Sequence, residues 1–137
     1  MIVSHQKRIA LQFNDCISTK DIEGFEQLMS DNHIFIDTGN NVANGKQTCL
    51  TIWKGFFNIF PDYKNVFKII VTSNNLVIMI GYSVCSDRRL NGPAIWTAKI
   101  TDKKISEWRI YEDTAQNRLQ LGIDVSKEKT RSRRFYQ

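Results

Sequence analysis

Residues 63–85 read YKNVFKIIVTSNNLVIMIGYSVC, and over this stretch the apolar period of the chain drops from that of a helix to that of a strand. Tyr63, Asn65, Phe67, Ile69 and Val71 fall on one face of the first strand by strict alternation. Thr72-Ser73-Asn74-Asn75 is turn chemistry, and Leu76 to Cys85 is almost continuously apolar, as the central strand of a sheet reads. After a charged loop at 86–93, which contains Asn91-Gly92-Pro93, two more strands are predicted at 94–101 and 105–113, joined through Asp102-Lys103-Lys104. Four antiparallel strands with short connections therefore fill the second half of the chain.

The first half is helical. Ile9, Phe13, Cys16 and Ile17 predict a helix over about 4–19, with Ser4 as its N-cap. Asp21 caps a second, short helix whose buried stripe is Ile22, Phe25, Leu28 and Met29. His33 to Asp37 is a short strand running into the turn Thr38-Gly39-Asn40-Asn41. Ile52, Trp53, Phe56, Phe57 and Phe60 mark a third helix over about 48–60, capped by Thr48 and closed by Pro61. A sheet that must bury one face against three amphipathic helices gives an α+β class: three N-terminal helices on a curved, mostly antiparallel sheet. Strong twist would curl that sheet around the third helix and leave a hydrophobic hollow, for which Phe13, Phe25, Trp53, Phe56, Phe57 and Trp96 supply aromatic walls.

The chain has 137 residues, 42% apolar and 24% charged, which is one globular domain rather than a disordered or fibrous chain. Its longest apolar run, Leu76 to Tyr82, is far short of the roughly 20 residues of a membrane span, so no membrane partner is expected. The opening MIVSHQKR is polar by its fourth residue and does not read as a secretory leader. Net charge is +5, but residues 125–137 carry +4 of it through Lys127, Lys129, Arg131, Arg133 and Arg134. The domain is thus read as 1–124, close to neutral, followed by a basic disordered tail at 125–137. A body so nearly neutral does not suggest a nucleic-acid surface, and the tail, even with Phe135 and Tyr136, reads as a solvated end. Cys16, Cys49 and Cys85 sit among apolar residues and read as buried free thiols in a reducing cytoplasm. With no C-x-x-C and only His5 and His33, no metal site is predicted.

Three stretches carry a family resemblance. They are KDIEGFEQLMSDN at 20–32 before a strand ending in Asp37; Gly45-Lys46 leading into the helix of Trp53 and Phe57, with Phe60-Pro61-Asp62-Tyr63 after it; and KISEWRIYED at 104–113, followed by Leu119 to Gly122. In this order and spacing, over about 4–123, the chain resembles the nuclear transport factor 2-like superfamily, in its SnoaL-like branch of polyketide cyclases and ketosteroid isomerase-like proteins. The resemblance implies a cone-shaped, cystatin-like fold, a pocket for a small apolar or aromatic ligand, a homodimer, and chemistry that needs no cofactor.

What the resemblance implies for catalysis falls on few residues. Asp37 matches the position of the isomerase general base, and desolvation in an apolar pocket would raise its pKa as proton abstraction requires. Its other reading is a turn residue that binds the backbone of Gly39 or Asn40. The oxyanion-hole tyrosine position reads Phe13, which cannot donate, and the companion acid position reads Trp96, which offers only an indole N–H. The epoxide hydrolase mechanism lacks its acid, because Trp108-Arg109-Ile110-Tyr111 has isoleucine there and no Arg-x-Asp lies in 94–101. SnoaL-like cyclases place an acid-base aspartate near the end of the last strand, which matches Asp113. Parity opposes it: if Trp108, Ile110 and Glu112 face inward, Asp113 does not, and it then caps the helix starting near Thr114. The expected site is therefore Asp37, Trp96 and Asp113 for chemistry, with Phe13, Trp53, Phe57, Tyr63 and Trp108 as pocket wall. The two functional readings are an isomerase or cyclase using a pocket aspartate, and a non-catalytic ligand-binding or protein-interaction module of the same fold. Gly39 to Gln47 has the wrong spacing for a phosphate loop, and Arg88-Arg89 reads as a solvated loop.

Overall fold

A computed structural model describes residues 4–123. The expected basic tail lies outside them. Helix α1, His5–Thr19, starts where predicted: the Ser4 hydroxyl accepts the Lys7 N–H at 3.2 Å. It ends on Lys20, whose left-handed backbone closes the last turn onto Cys16 and Ile17. Helix α2, Ile22–Leu28, is capped by Asp21 through Gly24 N–H at 2.9 Å. Strand β1, Met29–Ile36, begins four residues earlier than the β-branched run suggested, because Met29 already pairs with Ile105, ahead of an irregularity after which the pairing resumes at Ile34 with Glu107.

A short strand missed by the periodicity, β2, Val42–Asn44, folds back antiparallel onto β1. Its three residues are too few to show a period. Helix α3, Lys46–Ile59, begins two residues before the expected Thr48. Gly45, at φ 93°, lets the chain turn directly into the helix, and no side chain caps it. Strands β3, Lys64–Ser73, and β4, Leu76–Val84, form a hairpin. A single 3-10 turn at Arg88–Leu90 leads to β5, Gly92–Thr101, and β6, Lys104–Glu112, and a short helix α4, Ala115–Gln120, follows.

The six strands lie in the order β2-β1-β6-β5-β4-β3. All neighbours are antiparallel except β1 and β6, which run parallel. Helices α1 to α3 contact one face of this curved, unclosed sheet, so the α+β architecture is as read from the sequence.

Two bulges reset the faces. In β3, Phe67 pairs with Gly81 but Ile69 pairs with Ile80, leaving Lys68 extra. Ile70 therefore joins the inner core while Ile69 packs on the outer face, correcting the single face expected for Tyr63 to Val71. Gly81 is required here: a Cβ on it would lie 1.9 Å from the Val66 carbonyl oxygen. In β6, Ser106 is extra between Ile105 and Glu107, which allows both Ile105 and Trp108 to face the helices.

The inner face is packed with aromatic rings. Phe13 lies 4.5 Å from Trp108 and 4.6 Å from Phe25 between ring centres, and Phe67 lies 5.1 Å from Trp96. Phe13, Trp96 and Trp108 are fully buried. These side chains fill the space between α1 and the sheet. A second, smaller cluster on the outer face is built from Ile78, Ile80 and Ile95, with Tyr111, Leu121 and Ile123 against it.

Candidate functional site

Space is left open beside α3. A cleft of about 440 Å³ lies between α3, the ends of β1 and β6, and the chain from Ser83 to Ala94. That volume is within the roughly 300–1,000 Å³ of small-molecule pockets. It is lined by Trp53 and Phe56 of α3, by Phe35, Ile110 and Ala94 from the neighbouring strands β1, β6 and β5, and by Leu90 of the loop. Trp53 and Phe56 are a helical turn apart on α3 and meet edge to face at 5.8 Å.

Its buried polar groups are Tyr63 and Ser83, whose hydroxyls are 3.1 Å apart. Ser83 donates to Asn65 Oδ1 at 2.9 Å, Asn65 Nδ2 donates to Asn14 Oδ1 at 3.3 Å, and Asn14 Nδ2 donates to the Asn65 carbonyl at 3.4 Å. All four side chains are more than nine-tenths buried. The loop above is held by Asn91, which accepts from the Cys85 N–H at 2.8 Å and donates to its carbonyl at 2.7 Å. At the rim, Arg89 is committed to Asp87 at 2.6 Å, a pairing that holds Asp87 down at about 2.

Asp37 reaches the cleft lining, but as a turn residue. Its carboxylate accepts from the N–H groups of Gly39 and Asn41, each at 2.9 Å, and from Asn41 Nδ2 at 3.2 and 3.1 Å. Burial pushes its pKa up, but hydrogen bonds from Asn41 and Gly39 outweigh it, and the net direction is down. The upward shift expected of a desolvated base is thus reversed.

Of the expected wall residues, Trp53 and Tyr63 line the cleft, whereas Phe13, Phe57, Trp96 and Trp108 belong to the packed core. The Trp96 indole N–H is buried without a partner among the described residues, but away from the cleft lining. Asp113 is outside the cleft too, forked onto Arg118 at 2.5 and 2.6 Å, and Thr114, not Asp113, caps α4. Alternation along β6 turns Ile110 to the cleft and Tyr111 to the outer cluster. Sequence reasoning missed Asn14, Asn65 and Ser83 as a unit. The available signal was a pair of polar residues on otherwise apolar strands, which the hairpin register places opposite each other.

The three cysteines are buried and free. Burial, with Asp21 and Asp15 nearby, pushes Cys16 up to about 11, and burial also raises Cys49, so neither is an activated thiol. Among the described residues no helix is long and apolar enough to cross a membrane, and no cluster of metal-ligating side chains occurs.

A curved sheet cradling three helices over an apolar cleft defines the cone-shaped class shared by nuclear transport factor 2-like and cystatin-fold proteins. Within it, residues 10–108 match the SnoaL-like domain model, and the chain belongs to that family. It is similar in structure to a putative SnoaL-like polyketide cyclase from Shewanella putrefaciens, at 16% identity and TM-score 0.72, covering 88% of this chain and 99% of that one. It is also similar to an uncharacterized cystatin fold protein from Novosphingobium aromaticivorans, at 15% identity and TM-score 0.69, covering 80% and 98%. A further similar structure is an epoxide hydrolase from Mycobacterium tuberculosis, at 14% identity and TM-score 0.70, covering 80% and 83%. At such identities the likeness shows the fold alone. No curated protein matches the chain in sequence.

Proposed function

We propose that the protein binds a small, flat, largely apolar ligand in the cleft beside α3. The observation that carries this reading is a cleft lined by the aromatic rings of Phe35, Trp53 and Phe56 together with a buried hydroxyl pair, Tyr63 and Ser83. Calorimetric titration with naphthalene-type probes tests it. Saturable binding is expected in the native chain and its loss in Leu90→Trp, which plugs the mouth from a surface turn. Absence of binding by any planar aromatic probe would remove the reading.

Acid-base chemistry of the isomerase or cyclase kind is the second reading, favoured by one observation: Asp37 lines the cleft. To act as a base it would have to release four hydrogen bonds that its turn already uses. Binding without catalysis is therefore the form we adopt. A homodimer is part of the proposal, supported by Val71 and Tyr82, which stay exposed on the outer face of the sheet. Sedimentation of a monomer at micromolar concentration would remove that part. A reducing, cytoplasmic setting suits three free thiols.

A further inference from the structure

Resting on the cleft-binding reading above, we infer that the buried end of the cleft is a hydrogen-bond acceptor and selects ligands carrying a hydroxyl or enol O–H over equally shaped ligands without one. The direction of the buried network sets this polarity, and one backbone group sets the direction. The Asn65 carbonyl can only accept, so the Asn14 group 3.4 Å from it must be the amide Nδ2. Flipping Asn14 would set two oxygens against each other. Asn14 Oδ1 then faces Asn65 and requires the donor Nδ2 there, at 3.3 Å. That leaves Asn65 Oδ1 toward Ser83, so the single Ser83 proton is spent on it at 2.9 Å.

Ser83 can now only accept from Tyr63 across 3.1 Å, and the single phenol proton is spent in turn. Both hydroxyls line the cleft with their protons already committed, and what Tyr63 offers a ligand is a lone pair. Burial pushes the Tyr63 phenol above its usual range against the hydrogen bonds of Ser83 and Asn65, so it keeps that proton at neutral pH. A buried acceptor left without a donor is costly, which makes the preference a rejection of ligands lacking O–H as much as an attraction to those that have it.

The test uses three probes of common shape on the full chain: 2-naphthol, 2-methoxynaphthalene and 2-acetonaphthone, by calorimetry. We expect 2-naphthol to bind about tenfold tighter than the other two. In Tyr63→Phe that difference should vanish. Equal binding of the three by the native chain, or a lead for 2-acetonaphthone, overturns the inference and leaves the binding reading standing. Binding of none overturns both. A 2-naphthol lead that persists in Tyr63→Phe also overturns it, and the native chain alone decides the first comparison should that variant misfold.

Discussion

The two ends of the inner sheet face start from the same alternation and finish differently. Beneath α1, the cross-strand neighbours are Met79 with Trp96, and Ala98 with Trp108, and the rings of Phe13 and Phe25 fill what remains. Two rungs away the neighbours are Gly81 with Ala94 and Ser83 with Gly92. The space over Gly81 is taken by the β3 bulge, but the small Ser83, Gly92 and Ala94 leave a side-chain layer unfilled, and the cleft is that missing layer. A pocket in this fold is thus made less by aromatic residues, which the closed end has in greater number, than by the strand positions that withhold them.

The sharpest way to break this comparison is to truncate one ring at each end. Phe13→Ala should cost about 3–5 kcal/mol in urea unfolding, because Phe13 is fully buried. Phe56→Ala, in the half-buried cleft wall, should cost clearly less and weaken binding of planar probes instead. Equal costs would mean that the two ends are packed alike.

Next in size is a pH effect confined to the closed end. His33 is buried, and its Nδ1–H donates to the Ile105 carbonyl at 2.6 Å, while Nε2 has no partner among the described residues. Burial, opposed by that hydrogen bond, lowers its pKa from 6.5 to about 4. The unfolded chain therefore binds the proton first as pH falls. The stability from His33 is complete above about 6.5 and declines toward pH 4, by about 3 kcal/mol in all. His33→Gln should flatten unfolding free energy over that window relative to the native chain, and an unchanged slope would contradict the assignment.

Gly81→Ala comes third. Its Cβ would sit 1.9 Å from the Val66 carbonyl oxygen, so the β3 bulge must shift, at a cost of about 2–3 kcal/mol in thermal unfolding. A cost under about 0.5 kcal/mol would show that the bulge is soft. Smallest is Asp37→Asn, a turn substitution expected to change stability by within about 1 kcal/mol and to leave probe binding as it was. Loss of binding there would place the carboxylate in the ligand's contact set and sharpen the boundary of the cleft.

Much of this architecture is legible in the chain itself. Ser4 and Asp21 cap the helices they were expected to cap, the buried face of α1 follows its apolar spacing, that of α3 does so at Trp53 and Phe57 but takes Cys49 and Leu50 and leaves Ile52 exposed, and the tryptophans of the last two strands point inward. The candidate site was less legible. Tyr63 and Trp53 were named, but as members of an aromatic set of which Phe13, Phe57, Trp96 and Trp108 turned out to be core. Nothing local distinguishes a ring that walls a cleft from one that fills a core.

Periodicity, caps and turn chemistry act over a few residues and are imposed by backbone geometry, so the order of helices and strands and the motifs of the SnoaL-like family stand in the sequence alone. The parallel pairing of β1 with β6, the bulges at Lys68 and Ser106 and the chain of hydrogen bonds from Asn14 to Tyr63 were decided by tertiary structure. Each depends on which side chains face one another across strands and helices distant in the chain, and register and steric fit, not local preference, settle that.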